Sequence, residues 1–147
     1  MFKYNLFLFK DLPSAWLCGV RVRVLNDKKC IITVKLNWFN SNPFKSLYWA
    51  VQGMASELAT GLAIIDFTNK NSLNISMLVV SNESRFLKKA KGKIRFECDE
   101  VSKIKKTLSS LSKNKTTDKI KLKSTGYDES GDVVSEFIYE WSFKLKL

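Results

Sequence analysis

Residues 43 to 62, PFKSLYWAVQGMASELATGL, read as one helix that is apolar on almost every side yet carries a single carboxylate, Glu57. Asn42 precedes it as an N-cap, its side-chain oxygen available to a free first-turn N–H, and Pro43 occupies the first helical position, where a missing donor costs nothing. Phe44, Leu47, Tyr48, Val51, Met54, Ala55, Leu58 and Leu62 recur at the spacing of a buried stripe. Trp49, Ala50, Ala59 and Ala63 extend apolar character round the sides. A strip of Ser46, Ala50, Gly53 and Gly61 lets another backbone approach closely, with Glu57 projecting from it. Lys45, Gln52, Glu57 and the following Asp66 argue against a membrane span. A carboxylate in an apolar setting is costly unless paired, hydrogen-bonded or used, so Glu57 is where the functional question concentrates.

Outward from this helix the chain reads as strands. Val20–Leu25 alternates, Asn26–Lys29 supplies a hairpin turn, and Cys30–Leu36 returns with Ile32, Val34 and Leu36 on one face. After the helix come strand-like runs at Ile75–Val80, Ser84–Lys89 and Lys93–Val101, with Ala90-Lys91-Gly92 as a turn. Asp118–Tyr127 and Val133–Leu147 form a closing hairpin turned at Asp128–Asp132. The lysine-rich segment Ser102–Thr117 reads as a surface helix ending near Ser112, or as a basic linker. Including a short N-terminal helix, the order demands an α+β domain in which a curved antiparallel sheet of about six strands encloses one long central helix.

The 147 residues suit a single domain, 1–147. Hydrophobic residues make up 45% of the chain, and the net charge is +11. That charge fits an anionic ligand or plain solubility. Phe2–Phe9 is short, contains Lys3 and is followed by Asp11, which does not suit a secretory signal; the expected compartment is the cytoplasm. Cys18, Cys30 and Cys98, with no histidine to complete a metal set, read as reduced thiols. The aromatic residues are expected to fill the core, which disfavours a nucleic-acid platform.

Three stretches resemble the hotdog-fold superfamily, many of whose members hydrolyse acyl-CoA thioesters. Leu12-Pro13-Ser14-Ala15-Trp16-Leu17-Cys18-Gly19-Val20-Arg21-Val22 is similar to the opening helix, glycine and first strand of such domains. Asn40-Ser41-Asn42-Pro43-Phe44, leading into Glu57-Leu58-Ala59-Thr60-Gly61, resembles the asparagine-led loop and acid-bearing helix of the thioesterase branches. Ser84-Arg85-Phe86-Leu87-Lys88-Lys89-Ala90-Lys91-Gly92-Lys93-Ile94 resembles their strand, basic loop, glycine and strand. The nearest resemblance is to a hotdog family of unknown function close to the phenylacetyl-CoA thioesterase-like branch. That branch usually carries a histidine and two glycines at the head of the helix, where this chain has Leu47-Tyr48-Trp49-Ala50 and no histidine anywhere. Tyr48 and Trp49 would narrow or close an acyl site there, and the missing histidine weighs against dehydratase or hydratase chemistry.

The resemblance implies an acyl-CoA thioesterase in which Glu57 acts as base or nucleophile and a helix N-terminus stabilises the oxyanion. Tyr48 and Gln52 would line the substrate site, and Asn37, Asn40 and Asn42 would orient a carbonyl or water, or else serve as caps. Lys88, Lys89, Lys91 and Lys93 around Gly92 would hold coenzyme A phosphates, with Arg85 on the strand leading into them. No cofactor or metal is implied. The alternatives are a structural Glu57 satisfied by Arg21, Arg23 or Arg85, and a non-catalytic module binding an acyl-CoA, a fatty acyl ligand or a protein partner. Such units typically associate, so a homodimer or homotetramer is expected, and nucleic-acid binding ranks last.

Overall fold

The long strands and the central helix form as their sequence patterns require, but the helix starts later than its cap signal suggests. The structure is a computed structural model that describes residues 1–146; Leu147, the end of the expected last strand, lies outside the described residues. Helices α1 (Phe2–Asp11) and α2 (Pro13–Leu17) open the chain, followed by β1 (Arg21–Leu25) and β2 (Cys30–Lys35). The long α3 (Trp49–Lys70) leads to β3 (Ile75–Phe86) and β4 (Lys93–Cys98). Then come α4 (Val101–Ser109), β5 (Thr117–Tyr127) and β6 (Val133–Leu145). All pairings are antiparallel, in the order β1-β2-β4-β5-β6-β3, and α3 packs against the sheet. This is the hotdog arrangement.

Residues 43–46 are not helical. Asn42 does cap, accepting from Phe44 N at 3.0 Å and Ser46 N at 3.2 Å, but it closes a turn in which Lys45 takes a left-handed conformation, φ 57°. A left-handed residue cannot continue a right-handed helix. Leu47 N then donates to Ala90 O at 2.8 Å and Tyr48 N to Asn40 O at 3.0 Å. These bonds tie the segment to the β3–β4 loop and to the turn before it, so α3 begins only at Trp49. At its other end α3 runs eight residues past Leu62, because Ala63, Ile64 and Thr68 are buried against the fold.

The runs Ile75–Val80 and Ser84–Lys89 are one strand. A bulge between Val79 and Ser81 absorbs the break in alternation, and pairing with β6 continues from Ile75↔Leu145 to Phe86↔Ser135. Because β3 ends the sheet, its other edge has no partner strand among the described residues.

Helix and sheet meet through an apolar core containing Val51, Ala55, Leu58, Leu62, Ile94, Phe96 and Phe137. A polar ladder crosses it. Ser135 Oγ donates to Gln52 Oε1 at 2.9 Å, Ser56 Oγ and Tyr139 Oη share a bond of 2.6 Å, and Trp141 Nε1 donates to Thr60 Oγ1 at 3.0 Å. Gln52, Ser56 and Thr60 are one helical turn apart, so the ladder fixes both the rotation and the register of α3 against β6. Cys30 and Cys98 face each other across β2 and β4 as buried thiols; Cys18 is half-buried, and all three are free.

The aromatic residues are not confined to the core. Phe2, Phe9, Trp38, Phe39, Phe44, Tyr48, Trp49 and Phe86 are exposed. Most of them lie in helices and loops, where the two-residue alternation that turns β6 aromatics inward does not operate.

Candidate functional site

The head of α3, the loop before it and the end of β3 enclose a cleft of about 430 Å³. Its walls are largely apolar: Pro43, Phe44, Leu47, Trp49, Phe86 and Leu87. Asn42, Tyr48, Gln52, Lys88 and Lys89 bring polar groups to the same space, so the fold collects five of the expected substrate residues in one place. Tyr48 and Trp49 pack edge to face, with ring centres 6.0 Å apart, and stand exposed at the mouth. They narrow the cleft without filling it. Gln52 is held at the base, its amide donating to Leu47 O at 3.2 Å while its oxygen receives Ser135.

No side chain caps α3 at Tyr48. The first turn of the helix therefore presents backbone N–H groups and the positive end of its dipole beside the cleft.

Glu57 lies eight residues, about two turns, past the start of α3 at Trp49 and is not part of the cleft wall. Its Oε1 lies 3.4 Å from where a Gly61 Cβ would sit, beside the Trp141 indole, which comes within 3.1 Å of the same point. Any side chain at Gly61 would crowd both. One turn back, a Cβ on Gly53 would meet nothing within 4 Å. Burial alone pushes the Glu57 carboxyl above its ordinary value; no hydrogen bond or ion pair among the described residues compensates it. The neighbouring Tyr139 phenol is also raised, first by burial and, in smaller part, by Glu57 itself.

The arginines that would have satisfied a structural Glu57 are engaged elsewhere. Arg21 donates to the Trp16 and Val20 carbonyls, both at 2.8 Å, and Arg23 donates to Thr33 Oγ1 at 3.1 Å. Arg85 stands opposite Glu136 and lines a separate depression with Glu83, Lys123 and Ile138.

The basic loop does not act as one cluster. Lys88 Nζ is bridged to Asp128 at 2.6 Å and Asp132 at 2.7 Å, contacts that raise its own pKa and lower that of Asp128. Lys93 lines a depression with Arg95 and the β5–β6 turn, and Lys91 is exposed outside the cleft. The cause is Gly92 at φ 70°, which reverses the chain and carries Lys93 away from Lys89. Asn37 and Asn40 form a reciprocal cap, and Asn40 also holds the Cys18 and Lys35 carbonyls at 2.9 Å, so both serve the turn. Phe86 and Leu87 were not singled out as site residues in the sequence. The available signal was their adjacency, two apolar residues breaking strand alternation just before Lys88-Lys89.

Among the described residues no group of three His, Cys, Asp or Glu side chains is placed to hold a metal ion, and no helix is long and apolar enough to cross a membrane.

No protein-family model and no curated protein sequence matches the chain. Solved structures do match in fold. A Chlorobaculum tepidum protein of unknown function superposes with a TM-score of 0.83 at 15% identity, covering 98% of this chain and 93% of that one. A Pseudomonas aeruginosa protein described as a probable thioesterase gives 0.80 at 20% identity, covering 99% and 97%. A single-residue variant of another Pseudomonas aeruginosa thioesterase gives 0.72 at 10% identity, covering 98% and 93%. At these identities the likeness establishes the fold alone.

Proposed function

We propose that the protein hydrolyses the thioester of an acyl-CoA or a related acyl carrier, with Glu57 as base or nucleophile. The observation that carries this reading is a carboxylate raised by burial, with no ion pair or hydrogen bond among the described residues, on the helix whose head walls an apolar cleft. The acyl group occupies the cleft among Phe44, Trp49, Phe86 and Leu87. The thioester carbonyl oxygen faces the uncapped start of α3, where backbone N–H groups offset its developing negative charge. Eight residues of helix, about 12 Å, separate that start from Glu57 of the same copy, so the partner's Glu57 takes a proton from water as the water oxygen bonds to the carbonyl carbon; the C–S bond then breaks, and the proton passes to the departing thiolate. Direct attack by the carboxylate, giving an anhydride that water cleaves, has the same balance.

The working unit is proposed to be a homodimer, or two such dimers, formed across the free edge of β3. That long edge is unpaired and exposed along most of its length, and a second copy would extend the sheet and close the cleft mouth. Three unpaired thiols agree with a cytoplasmic setting.

Of the two lysines at the cleft, Lys88 is neutralised by two aspartates, whereas Lys89 has no ion pair among the described residues. Lys89→Ala should therefore raise KM for acyl-CoA by about twofold to fivefold and leave kcat unchanged, with a smaller effect from Lys88→Ala. Steady-state kinetics of the two variants checks this.

A second reading has one observation in its favour. Glu57 leans toward Gly61 instead of toward the cleft, which suits a module that binds an acyl ligand without cleaving it. Release of free thiol, measured over a series of acyl-CoA chain lengths, decides between them. Turnover of any member supports hydrolysis; saturable binding with no thiol release across the series sinks it.

A further inference from the structure

Helix α1 has two apolar faces, and the fold uses one. Its rotation is pinned. The Asn5 amide donates to Val22 O at 3.1 Å and accepts from Val22 N at 2.9 Å, the Tyr4 hydroxyl donates to Asp66 of α3, and Leu8 is fully buried. Phe2, Leu6 and Phe9, spaced as one helical stripe, therefore point away from the core and are 83%, 45% and 56% exposed. The Phe9 ring meets Trp16 edge-on at 5.6 Å, and the Arg21 guanidinium lies 3.6 Å over that indole. Phe2, Asn5, Leu6, Phe9 and Trp16 line an apolar groove of about 280 Å³. A helix apolar on both sides normally has both sides covered.

The stripe lies outside the proposed dimer. α1 packs on β1, and β1 and β3 are opposite ends of the sheet, so pairing through β3 leaves α1 at the far end of each protomer. Charge indicates what covers it. Lys3 and Lys10 sit about one hundred degrees round from the stripe, both on the same side and both exposed, with no ion pair among the described residues. A second copy docked here about a two-fold axis would set the same two lysines on both sides of the contact, like charge beside like charge. An anionic lipid surface satisfies both features: aromatic and aliphatic side chains enter the boundary between headgroups and acyl chains, while lysines meet headgroup phosphates.

We propose that α1 docks the protein on an anionic bilayer surface through Phe2, Leu6 and Phe9, with Lys3 and Lys10 contacting lipid phosphates. The inference does not rest on the proposed hydrolysis.

Co-sedimentation of the full chain with vesicles tests it, using phosphatidylcholine alone and phosphatidylcholine with about one third phosphatidylglycerol. Binding is expected on the anionic vesicles, weakening as salt is raised. Combined Phe2→Ser, Leu6→Ser and Phe9→Ser should lower partitioning at least about tenfold, and Lys3→Gln and Lys10→Gln about fivefold each. All five side chains are exposed, so circular dichroism and the thermal midpoint should stay as in the parent protein. Equal partitioning of parent and serine variant overturns the proposal, as does equal binding to neutral and anionic vesicles. A solution mass that falls on introducing the three serines also overturns it, since a second copy would then be the occupant.

Discussion

Glu57→Gln should lower kcat for thioester hydrolysis by about a hundredfold to ten-thousandfold while leaving acyl-CoA affinity near that of the parent. The substitution keeps the shape of the side chain and removes only its capacity to accept a proton or attack a carbonyl. The same change has an opposite expected effect on stability. In the fold the Glu57 carboxyl is raised by burial above its value in the unfolded chain, so folding favours the protonated form. The sign follows from linkage: that contribution is complete below the unfolded pKa and is lost as pH rises through the folded one. Above that raised value the parent holds a charge that the neutral amide of the variant lacks, so the variant should melt higher there, with the gap closing toward acid pH. Thermal midpoints of both proteins across that range check the claim; parallel curves would count against it. In the parent, kcat/KM should rise with pH through the raised carboxyl value, because the base must be ionised to act. A variant with full activity would remove Glu57 from the chemistry and leave the cleft as a binding site.

Phe96→Ala should cost about 3–5 kcal/mol, a large part of the stability of a domain this size. Phe96 is completely buried on β4, opposite Ile32 on β2 and Gly126 on β5. Its ring packs edge-on against Phe137 at 6.2 Å and fills the space above Gly126, where a Cβ would lie 2.8 Å from its Cε1. A bare glycine opposite a phenylalanine is how the sheet admits so large a ring without spreading. Removing the ring leaves a cavity bordered by strand backbone that cannot collapse into it. Urea unfolding would show this as a shifted midpoint with little change in slope, and a loss below about 1 kcal/mol would mean the neighbouring strands close the gap.

Most of the fold was legible because its signals are local. The alternation of Val20–Leu25, the turn at Asn26–Lys29 and the paired apolar rows of Asp118–Tyr127 and Val133 onward depend on near neighbours alone, and β1, β2, β5 and β6 form there within a residue or two. The misread elements share one physical cause. Asn42-Pro43 is a good helix start and also a good turn, since in both cases the asparagine oxygen accepts from nearby backbone N–H groups. Leu47 bonding to Ala90 favours the turn, and that bond joins residues 43 positions apart. Likewise Ser81-Asn82-Glu83 looked like a break between strands, and only pairing with β6 carries the chain through it.

The site divides in the same way. By itself the sequence determined that Glu57 would sit on a long apolar helix, because helical spacing places residues on faces without reference to anything else; that the helix runs on to Lys70 and carries a second acid, Asp66, held by Tyr4 and Lys70, was not legible. It could not determine what Glu57 touches. Three arginines and the four lysines around Gly92 were within reach, and their number alone suggested a paired carboxylate or a phosphate cradle. Tertiary structure decided otherwise: carbonyls at Trp16 and Val20 hold Arg21, Thr33 holds Arg23, and two aspartates from the β5–β6 turn hold Lys88. Charge has no period along a chain, and its partners are chosen by distances that exist only after folding. Glu57 was visible from the start as a costly residue; only the folded chain shows that no side chain among the described residues pairs with it.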